Sequence, residues 1–307
     1  MTANFRGASV RSAGSGSRAC TEIDRVMLQA VERRSRSETV AAQYEGARAA
    51  ADYARAYRGS GSQGRYFRSR LQLIQDVLAA CPGGSLLDAG CGPGVMVQEL
   101  LKSRPNDFRI TALDQSPAMV ECCMAGTREL GEVGPAVGRL EAMPFADASF
   151  DVILVMGALE YADARVAVRE ISRVARPGGL VIVTMLNPLS PYRLAEWFLY
   201  WPLRRALGAI EGGLGVPARK RHGVPASGIR ALTVRRLRWM MRQVNLQPVD
   251  LIYYDLTLLV PPLDRFPRVV RTADRVVRES AAARGRGRRL GTAYLVVARS
   301  SLRPNQY

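Results

Sequence analysis

Short apolar runs alternate with amphipathic segments through the middle of the chain. Five apolar runs predict strands, at residues 85–89, 109–113, 136–140, 150–155 and 180–185. Three amphipathic segments between them predict helices, at residues 95–102, 117–130 and 165–175. This alternation favours an α/β fold in which helices cover both faces of a parallel sheet.

The flanking segments change in pattern and divide the chain into five parts. Residues 1–37, rich in Gly, Ser and Arg, are predicted to be a disordered basic tail, and residues 38–84 to form N-terminal helices. Residues 85–187 are the predicted core, residues 188–247 a helical cap, and residues 248–307 the segment that completes the sheet. The elements predicted in these parts are helices at 38–57, 65–80, 191–207 (kinked at Pro202), 233–244 and 269–283, and strands at 248–259 and 292–298.

Charge is distributed unevenly over these parts. The chain has 44 Lys and Arg against 27 Asp and Glu, a formal net charge of +17. Residues 71–187 carry a net charge of −5, whereas residues 188–307 carry +15. A positive balance is typical of proteins that meet nucleic acid or an anionic surface, but here the excess lies outside the predicted core.

The content of cysteine and histidine excludes several kinds of site. The five cysteines form no C-x-x-C pair, and their odd number makes a poor disulfide framework. With His222 as the one histidine, a zinc site of the usual kind is excluded, and we expect no metal. Residues 1–20 lack the apolar core of a secretory signal, and no window approaches the ~18 apolar residues of a membrane span. We therefore expect a cytoplasmic protein, at most peripheral to a membrane.

The first strand runs into a glycine-rich loop, Asp88-Ala89-Gly90-Cys91-Gly92-Pro93-Gly94. Glycines let the backbone turn sharply and approach a ligand, and the carboxyl end of a parallel strand is where open α/β sheets bind ligands. A dinucleotide site requires G-x-G-x-x-G, whereas Val95 occupies the place of its third glycine. The carboxylate of Asp88 suits a ligand with an ammonium group rather than a pyrophosphate. A tight turn without a ligand is the alternative.

The second strand ends at Asp114, which would lie beside the glycine-rich loop in a doubly wound sheet. There the carboxylate would accept hydrogen bonds from both hydroxyls of a ribose. A solvated acid or a helix cap is the alternative interpretation.

Residues 85–185 resemble the class I S-adenosylmethionine-dependent methyltransferases, in particular the subfamily that acts on small molecules and lipid quinones. The segments that carry the resemblance are 87–94, 112–114, 141–145, 149–152, 159–163 and 173–179. The resemblance implies a Rossmann-like fold with a doubly wound, mostly parallel seven-stranded sheet, N-terminal helices and a helical cap after the fifth strand. It also implies S-adenosylmethionine as the cofactor and a transferase activity on a small acceptor.

The resemblance assigns twelve residues to the cofactor. They are Asp88, Gly90, Cys91, Gly92, Gly94, Asp114, Gln115, Met119, Leu140, Glu141, Met156 and Gly157. The glycine-rich loop would lie against the methionine part, with Asp88 near its amino group. Asp114 would hold the ribose, residues 140–141 would lie near the adenine, and residues 156–157 near the sulfonium.

Two positions depart from the family pattern. The family often has an acid that accepts from the adenine amino group where this chain has Arg139, which cannot accept a hydrogen bond. It also often has a histidine where Tyr161 stands, and a tyrosine with an unperturbed pKa near ~10 is a poor base. Tyr161 and His222 are the candidate catalytic residues, with Asp255 as a weaker one.

Aromatic residues outside the core predict where an acceptor binds. Those of the N-terminal helices, Tyr53, Tyr57, Tyr66 and Phe67, would fold over the cofactor. Those of the cap, with two methionines, suit a lid over a lipophilic or aromatic acceptor: Trp197, Phe198, Tyr200, Trp201, Trp239, Met240 and Met241. Simple core packing of the cap, or a membrane-surface helix flanked by Arg193, Arg204 and Arg205, are the alternatives.

The leading hypothesis is therefore methyl transfer to a small, lipophilic or aromatic acceptor, with O-methylation preferred. The alternatives are an RNA methyltransferase, which the charge suggests, and a non-catalytic partner protein that binds the cofactor. The partners expected are a small-molecule acceptor and, through the basic regions, an anionic membrane or carrier; nucleic acid is not favoured because no RNA-binding module is recognised.

Overall fold

A seven-stranded sheet organises the structure. The computed structural model describes residues 47–58, 62–217, 221, 229–256 and 290–301. Its strands are β1 (Gly84–Ala89), β2 (Phe108–Asp114), β3 (Val133–Val137), β4 (Phe150–Met156), β5 (Ala175–Leu186), β6 (Leu246–Tyr254) and β7 (Ala293–Ser300). They lie in the order β3-β2-β1-β4-β5-β7-β6. All neighbours pair in parallel except β7, which is antiparallel to both β5 and β6. The predicted doubly wound, mostly parallel seven-stranded sheet is confirmed.

Helices cover both faces of this sheet. They are α1 (Ala47–Arg58), α2 (Ser62–Leu78), α3 (Val95–Ser103), α4 (Pro117–Thr127), α5 (Ala164–Val174), α6 (Pro191–Ala195), α7 (Trp201–Gly213) and α8 (Val234–Arg242). A π-helical turn, Glu196–Tyr200, joins α6 to α7. The apolar faces of α2, α3 and α4 pack on one side of the sheet, and those of α5 and α8 pack on the other.

The alternation of strand residues explains the two cores. In β4, Val152 and Leu154 belong to the core beneath α3, whereas Ile153 and Val155 belong to the core beneath α5. Because both faces are covered, the strand is apolar at every position from 152 to 156. The carboxyl ends of β1, β2 and β4 meet at one edge, which is where the candidate site lies.

The third strand was predicted in the wrong place. The prediction was 136–140, but β3 occupies Val133–Val137 and includes Gly134 and Pro135. These two residues suggest a break in a strand, yet β3 is an edge strand. A proline is tolerated there because its missing N–H can face away from the sheet. The opposite edge strand, β6, likewise contains Pro248.

Some predictions lie outside the described residues. These are the disordered tail at 1–37, residues 38–46 of the first predicted helix, the helix at 269–283 and the environment of His222. Where the cap is described, a π-helical turn interrupts the predicted 191–207 helix just before Pro202, and the helix continues to Gly213.

Candidate functional site

The glycine-rich loop after β1 is held against the end of β2. The backbone N–H groups of Gly90 and Cys91 both donate to the carbonyl of Leu113, at 2.7 and 2.9 Å. The N–H of Gly92 donates to Oδ2 of Asp114 at 3.0 Å. These three N–H groups of the loop are therefore hydrogen-bonded to the end of β2 and are not free to bind a ligand.

Glycine is required at two loop positions for different reasons. Gly90 has φ +86°, and a Cβ there would lie 2.2 Å from Cβ of Ala158. Gly94 has φ +76°, and its Cβ would lie 2.3 Å from Sγ of Cys123 on α4. The first glycine keeps the loop close to the end of β4, whereas the second lets α3 pack against α4.

Asp114 joins the loop to the next helix. Its Oδ1 accepts from the N–H of Ser116 at 2.9 Å, and its Oδ2 accepts from Gly92. Burial raises the pKa of Asp114, although the hydrogen bonds from Ser116 and Gly92 oppose this. A carboxylate can accept about four hydrogen bonds, so beside the backbone N–H groups of Gly92, Ser116 and Gln115 it retains capacity for a hydroxyl donor.

One cavity collects ten of the twelve residues that were assigned to the cofactor. We call it the donor cavity, and the ten residues that line it are Gly90, Cys91, Gly92, Asp114, Gln115, Met119, Leu140, Glu141, Met156 and Gly157. Asp88 and Gly94 do not line it. Its other lining residues include Tyr53 and Tyr57 of α1 and the candidate catalytic residue Tyr161. His222 lies outside the described residues, so its predicted role has no structural counterpart.

Asp88 is fully buried beneath the loop. Neither carboxylate oxygen has a hydrogen-bond partner among the residues that the structure describes. Burial, with a smaller contribution from nearby Asp114, raises the pKa of Asp88 to about 7, and Arg70 opposes the shift. A buried carboxylate without a partner is costly, so a cationic group nearby would stabilise it.

The loop between β3 and β4 closes the other end of the donor cavity. Glu141 accepts from the backbone N–H of Asp163 at 2.9 Å and pairs with Arg139 at 3.4 Å. Arg139 and Glu141 both line the cavity. Glu141 thus supplies a carboxylate close to the position where the family pattern has its acid.

Sequence reasoning missed Arg70. This residue of α2 is 2% exposed, and its Nη2 donates to the hydroxyl of Tyr57 at 2.7 Å. Its Cζ lies 5.0 Å from the ring centre of Phe67 and 5.2 Å from that of Tyr66. Within the described ranges no carboxylate pairs with it, and its Nε has no partner. The available signal was its position, since 67, 70 and 74 are spaced as one helical face that is otherwise apolar.

A second cavity opens beside the first, and we call it the acceptor cavity. Tyr53, Gly157 and Tyr161 line both cavities. The acceptor cavity is otherwise lined by residues of α2, of the loop after β4, of α6 and of the β6–β7 ends: Gln63, Arg65, Tyr66, Phe67, Arg70, Glu160, Leu186, Tyr192, Arg193, Ile229, Asp255 and Thr292. Gly157 stands at the junction, where a Cβ would lie 2.6 Å from Nη1 of Arg70.

The cap contributes less to this cavity than its aromatic content suggested. Met240 and Met241 are buried in the sheet core, which is the packing alternative. Trp197 and Phe198 are exposed and line neither cavity. Tyr192, Arg193 and Ile229 are the cap residues that line the acceptor cavity.

Asp255 is not a free acid. Its Oδ1 receives Nε of Arg65 at 3.0 Å, and its Oδ2 accepts from the hydroxyl of Thr292. Its side chain is 6% exposed. Both oxygens of Asp255 are therefore engaged and its side chain is not solvent-facing, so a base role for it is not supported.

Comparison with known proteins gives a consistent result. Residues 87–183 match a family described as "Methyltransferase domain". A malonyl-[acyl-carrier protein] O-methyltransferase of Dechloromonas aromatica is 36% identical over 118 residues, which are 37% of this chain and 40% of that protein. The ubiquinone/menaquinone biosynthesis C-methyltransferase UbiE of Geotalea daltonii is 34% identical over 106 residues, 33% of this chain and 45% of that protein. The chain therefore spans less than half the length of these relatives.

The fold also has counterparts among solved structures. A SAM-dependent methyltransferase of Thermotoga maritima superposes with a TM-score of 0.51 at 17% identity, covering 83% of this chain and 97% of that one. The structural likeness supports the fold. The sequence matches cover the segment from β1 to β5, which contains the candidate site.

Proposed function

We propose that this chain transfers a methyl group from S-adenosylmethionine to a small, lipophilic or aromatic acceptor, because residues 87–183 match a methyltransferase domain. We propose an oxygen of the acceptor as the atom methylated. The observation that carries this proposal is the junction of the two cavities at Gly157 and Tyr161. Donor and acceptor would meet there.

The donor cavity fits S-adenosylmethionine from the adenosine end. Asp114 would receive the ribose hydroxyls, since its carboxylate retains capacity for a hydroxyl donor. Gln115 and Met119 would flank the adenosine, and the loop of residues 138–141 would enclose the adenine. Glu141 would take the part of the family's adenine-binding acid.

The methionine end fits through two buried charges. Asp88 lines neither cavity, so its buried carboxylate would attract the ammonium group electrostatically from beneath the loop and not by direct contact. Arg70 lines the acceptor cavity and has a guanidinium without a carboxylate partner in the described residues. We propose that Arg70, through the gap left at Gly157, faces the carboxylate of the methionine part. Residues 71–187 carry a net charge of −5, which suits a cationic sulfonium.

When bound, the cofactor supplies an activated methyl group, so the protein contributes chiefly alignment and the exclusion of water. The rings of Tyr53, Tyr66 and Phe67 contact one another along the wall of the acceptor cavity and favour an apolar acceptor. Tyr161, which lines both cavities, would orient the acceptor. His222, the other predicted catalytic residue, has no described position.

The proposal is tested in two steps. Calorimetry with S-adenosylhomocysteine examines the donor cavity, and absence of binding at millimolar concentration would refute the cofactor. Methyl transfer from labelled S-adenosylmethionine to a panel of lipophilic phenols, carboxylates and amines examines the activity. Binding without product from any of them would favour the non-catalytic alternative, and product from RNA alone would favour the RNA alternative.

Replacing Asp114 by asparagine should weaken S-adenosylhomocysteine about tenfold to a hundredfold, because a charge-assisted hydrogen bond contributes about 1.5–3 kcal/mol. The amide keeps one acceptor oxygen but loses the charge and places an NH₂ group against a backbone donor, Gly92 or Ser116. Calorimetry with the exposed-loop variant Asp107→Asn as control measures the effect. Equal affinities for the two variants would refute the ribose role.

An apolar stripe on the cap supports the expected contact with a membrane. Its members are spaced along one helical face and are 40% to 78% exposed: Leu199, Leu203, Leu207, Ile210 and Leu214. No residue of α7 is buried. Arg204 and the exposed Arg205 accompany the stripe, and residues 188–307 carry a net charge of +15. We propose that this stripe lies in the interface of an anionic lipid surface. Among the helices in the described ranges, none has the length and apolarity needed to span a bilayer.

Vesicle sedimentation tests the stripe. The protein should co-sediment with vesicles containing phosphatidylglycerol, and Leu207→Glu/Ile210→Glu should reduce binding by at least roughly tenfold, since each buried apolar side chain contributes ~1.5 kcal/mol or more. Val166→Glu/Val249→Glu, which alters exposed valines elsewhere, is the control. Unchanged binding of the stripe variant would contradict the proposal. If the wild type is a dimer in solution and the stripe variant is a monomer, the stripe is instead the contact with a second copy of the chain.

A further inference from the structure

Glu160 is a buried acid that the sequence analysis did not single out. It follows the strand β4 by four residues, is 4% exposed, and lines the acceptor cavity. Its Oε1 accepts from the backbone N–H of Leu186 at 2.6 Å, at the end of β5. Its own carbonyl accepts from the N–H of Arg230 at 2.8 Å. These two contacts fix the residue on the wall of the cavity.

The second carboxylate oxygen of Glu160 differs from the first in its contacts. Oε2 of Glu160 has no hydrogen-bond partner within the part of the chain that the structure describes. It is also not one of the unpartnered side-chain atoms that are sealed from solvent. One oxygen is therefore anchored to the backbone, while the other is available to a molecule in the cavity.

The charged groups around Glu160 are largely paired with one another. Arg193 pairs with Glu196, and Arg65 pairs with Asp255. The phenols that Glu160 affects electrostatically belong to Tyr66, Tyr254 and Tyr294. Arg70 remains as a cation without a carboxylate partner in the described residues, and we have placed it toward the methionine part of the cofactor.

The protonation of Glu160 follows from this environment. Burial raises its pKa to about 7, while the hydrogen bond from Leu186 and the charges of Arg70 and Arg193 oppose the shift. A carboxyl group with a pKa near neutrality is suited to accept a proton from a weakly acidic hydroxyl.

We infer that Glu160 is the general base of the acceptor cavity and that the acceptor is a neutral hydroxyl compound, a phenol or an enol. The inference rests on the proposed methyl transfer. The acceptor O–H bond breaks and its proton passes to Oε2 of Glu160. The acceptor oxygen forms a bond to the methyl carbon as the sulfur–carbon bond of the donor breaks, and that electron pair stays on sulfur.

A carboxylate acceptor is disfavoured by the same geometry. It is already ionised and needs no base, and it would lie beside the buried charge of Glu160. Three arginines line the cavity wall: Arg65 and Arg193 are already engaged with acids, and Arg70 is the one that we have placed toward the carboxylate of the cofactor.

The test compares Glu160→Gln with Glu132→Gln, a control on an exposed acid outside both cavities. Glutamine preserves an acceptor for the N–H of Leu186 but cannot take up a proton. With catechol or phenol as acceptor, kcat should fall by roughly 10²- to 10⁴-fold, the usual contribution of a general base, with little change in KM. With 4-nitrophenol, which is largely ionised above neutral pH, the loss should be much smaller.

A second measurement does not depend on turnover. The folded-state pKa of about 7 lies above the ordinary value of 4.5, so the folded state favours the protonated acid. Stability from this group is complete below pH 4.5 and is lost as the pH rises through 7. The difference in Tm between Glu160→Gln and the wild type should therefore shift in favour of the variant as the pH rises from 5 to 8. The corresponding difference for Glu132→Gln should not change.

The outcomes separate this inference from the proposed function. Loss of S-adenosylhomocysteine binding in the wild type would refute the methyltransferase proposal itself. If the cofactor binds, product from benzoate or aniline but not from phenols, or from none of them, overturns the acceptor class. Equal losses with phenol and 4-nitrophenol, or a pH-independent difference in Tm, overturn the base role of Glu160.

Discussion

Replacing Arg70 by methionine is expected to weaken S-adenosylhomocysteine by roughly a hundredfold, because a buried charge pair with the ligand carboxylate contributes about 3 kcal/mol. The guanidinium is buried among Tyr57, Tyr66 and Phe67 and pairs with no carboxylate in the described residues. A ligand carboxylate is the partner that the site lacks.

The protein should remain folded after this change. Burying an arginine without a carboxylate partner costs free energy, so an apolar side chain of similar length leaves the free energy of unfolding unchanged or raises it. The aromatic rings around Arg70 offer methionine a favourable packing environment. Loss of affinity without loss of Tm would therefore separate a binding role from a structural one.

Calorimetry with two ligands makes the assignment specific. 5′-Methylthioadenosine lacks the amino-acid part, so Arg70→Met should leave its affinity unchanged, whereas Asp114→Asn should weaken both ligands. Arg68→Met, on the exposed side of the same helix, is the control. If Arg70→Met weakens both ligands equally, Arg70 supports the shape of the cavity rather than the carboxylate.

The core of the fold could be predicted because its signals are local. A strand that enters a glycine-rich loop and then a helix, followed by a second strand ending in an acid, places Gly90 and Asp114 at one sheet edge. The hydrogen bond from Gly92 to Asp114 is the direct consequence of that placement. Ten of the twelve residues assigned to the cofactor line one cavity for the same reason.

The rest of the site depends on contacts between distant segments. Arg70 reaches the site because α2 packs across the end of the sheet, and its buried position shows in the sequence only as an arginine within an apolar helical face. Glu160 is held in place by the amide of Leu186 on β5, and its raised pKa comes from its burial, which the sequence around it does not show. The methionines of α8 were assigned to the cap because sequence cannot tell a helix that packs on the sheet from one that covers a ligand.

Changing Gly90 to alanine is expected to abolish measurable binding of S-adenosylhomocysteine and to lower the free energy of unfolding by about 2–6 kcal/mol. A non-glycine residue at φ +86° costs about 1–3 kcal/mol, and overpacking adds about 1–3 kcal/mol. The overpacking arises because the new Cβ would lie 2.2 Å from Cβ of Ala158. Gly178→Ala is the matched control, since Gly178 has φ +78° and nothing within 4 Å of its Cβ position, so it measures the backbone cost alone.

The double variant Gly90→Ala/Ala158→Gly then separates packing from ligand contact. It removes the clashing methyl group, after which the nearest atom to the new Cβ is Cα of residue 158 at 3.7 Å. Its Tm should return to a deficit like that of Gly178→Ala. Binding of S-adenosylhomocysteine should not return, because the new methyl group still occupies the lining of the donor cavity. Restored affinity in the double variant would mean that glycine at position 90 serves the contact between the loop and the end of β4, and that the ligand does not approach the backbone there.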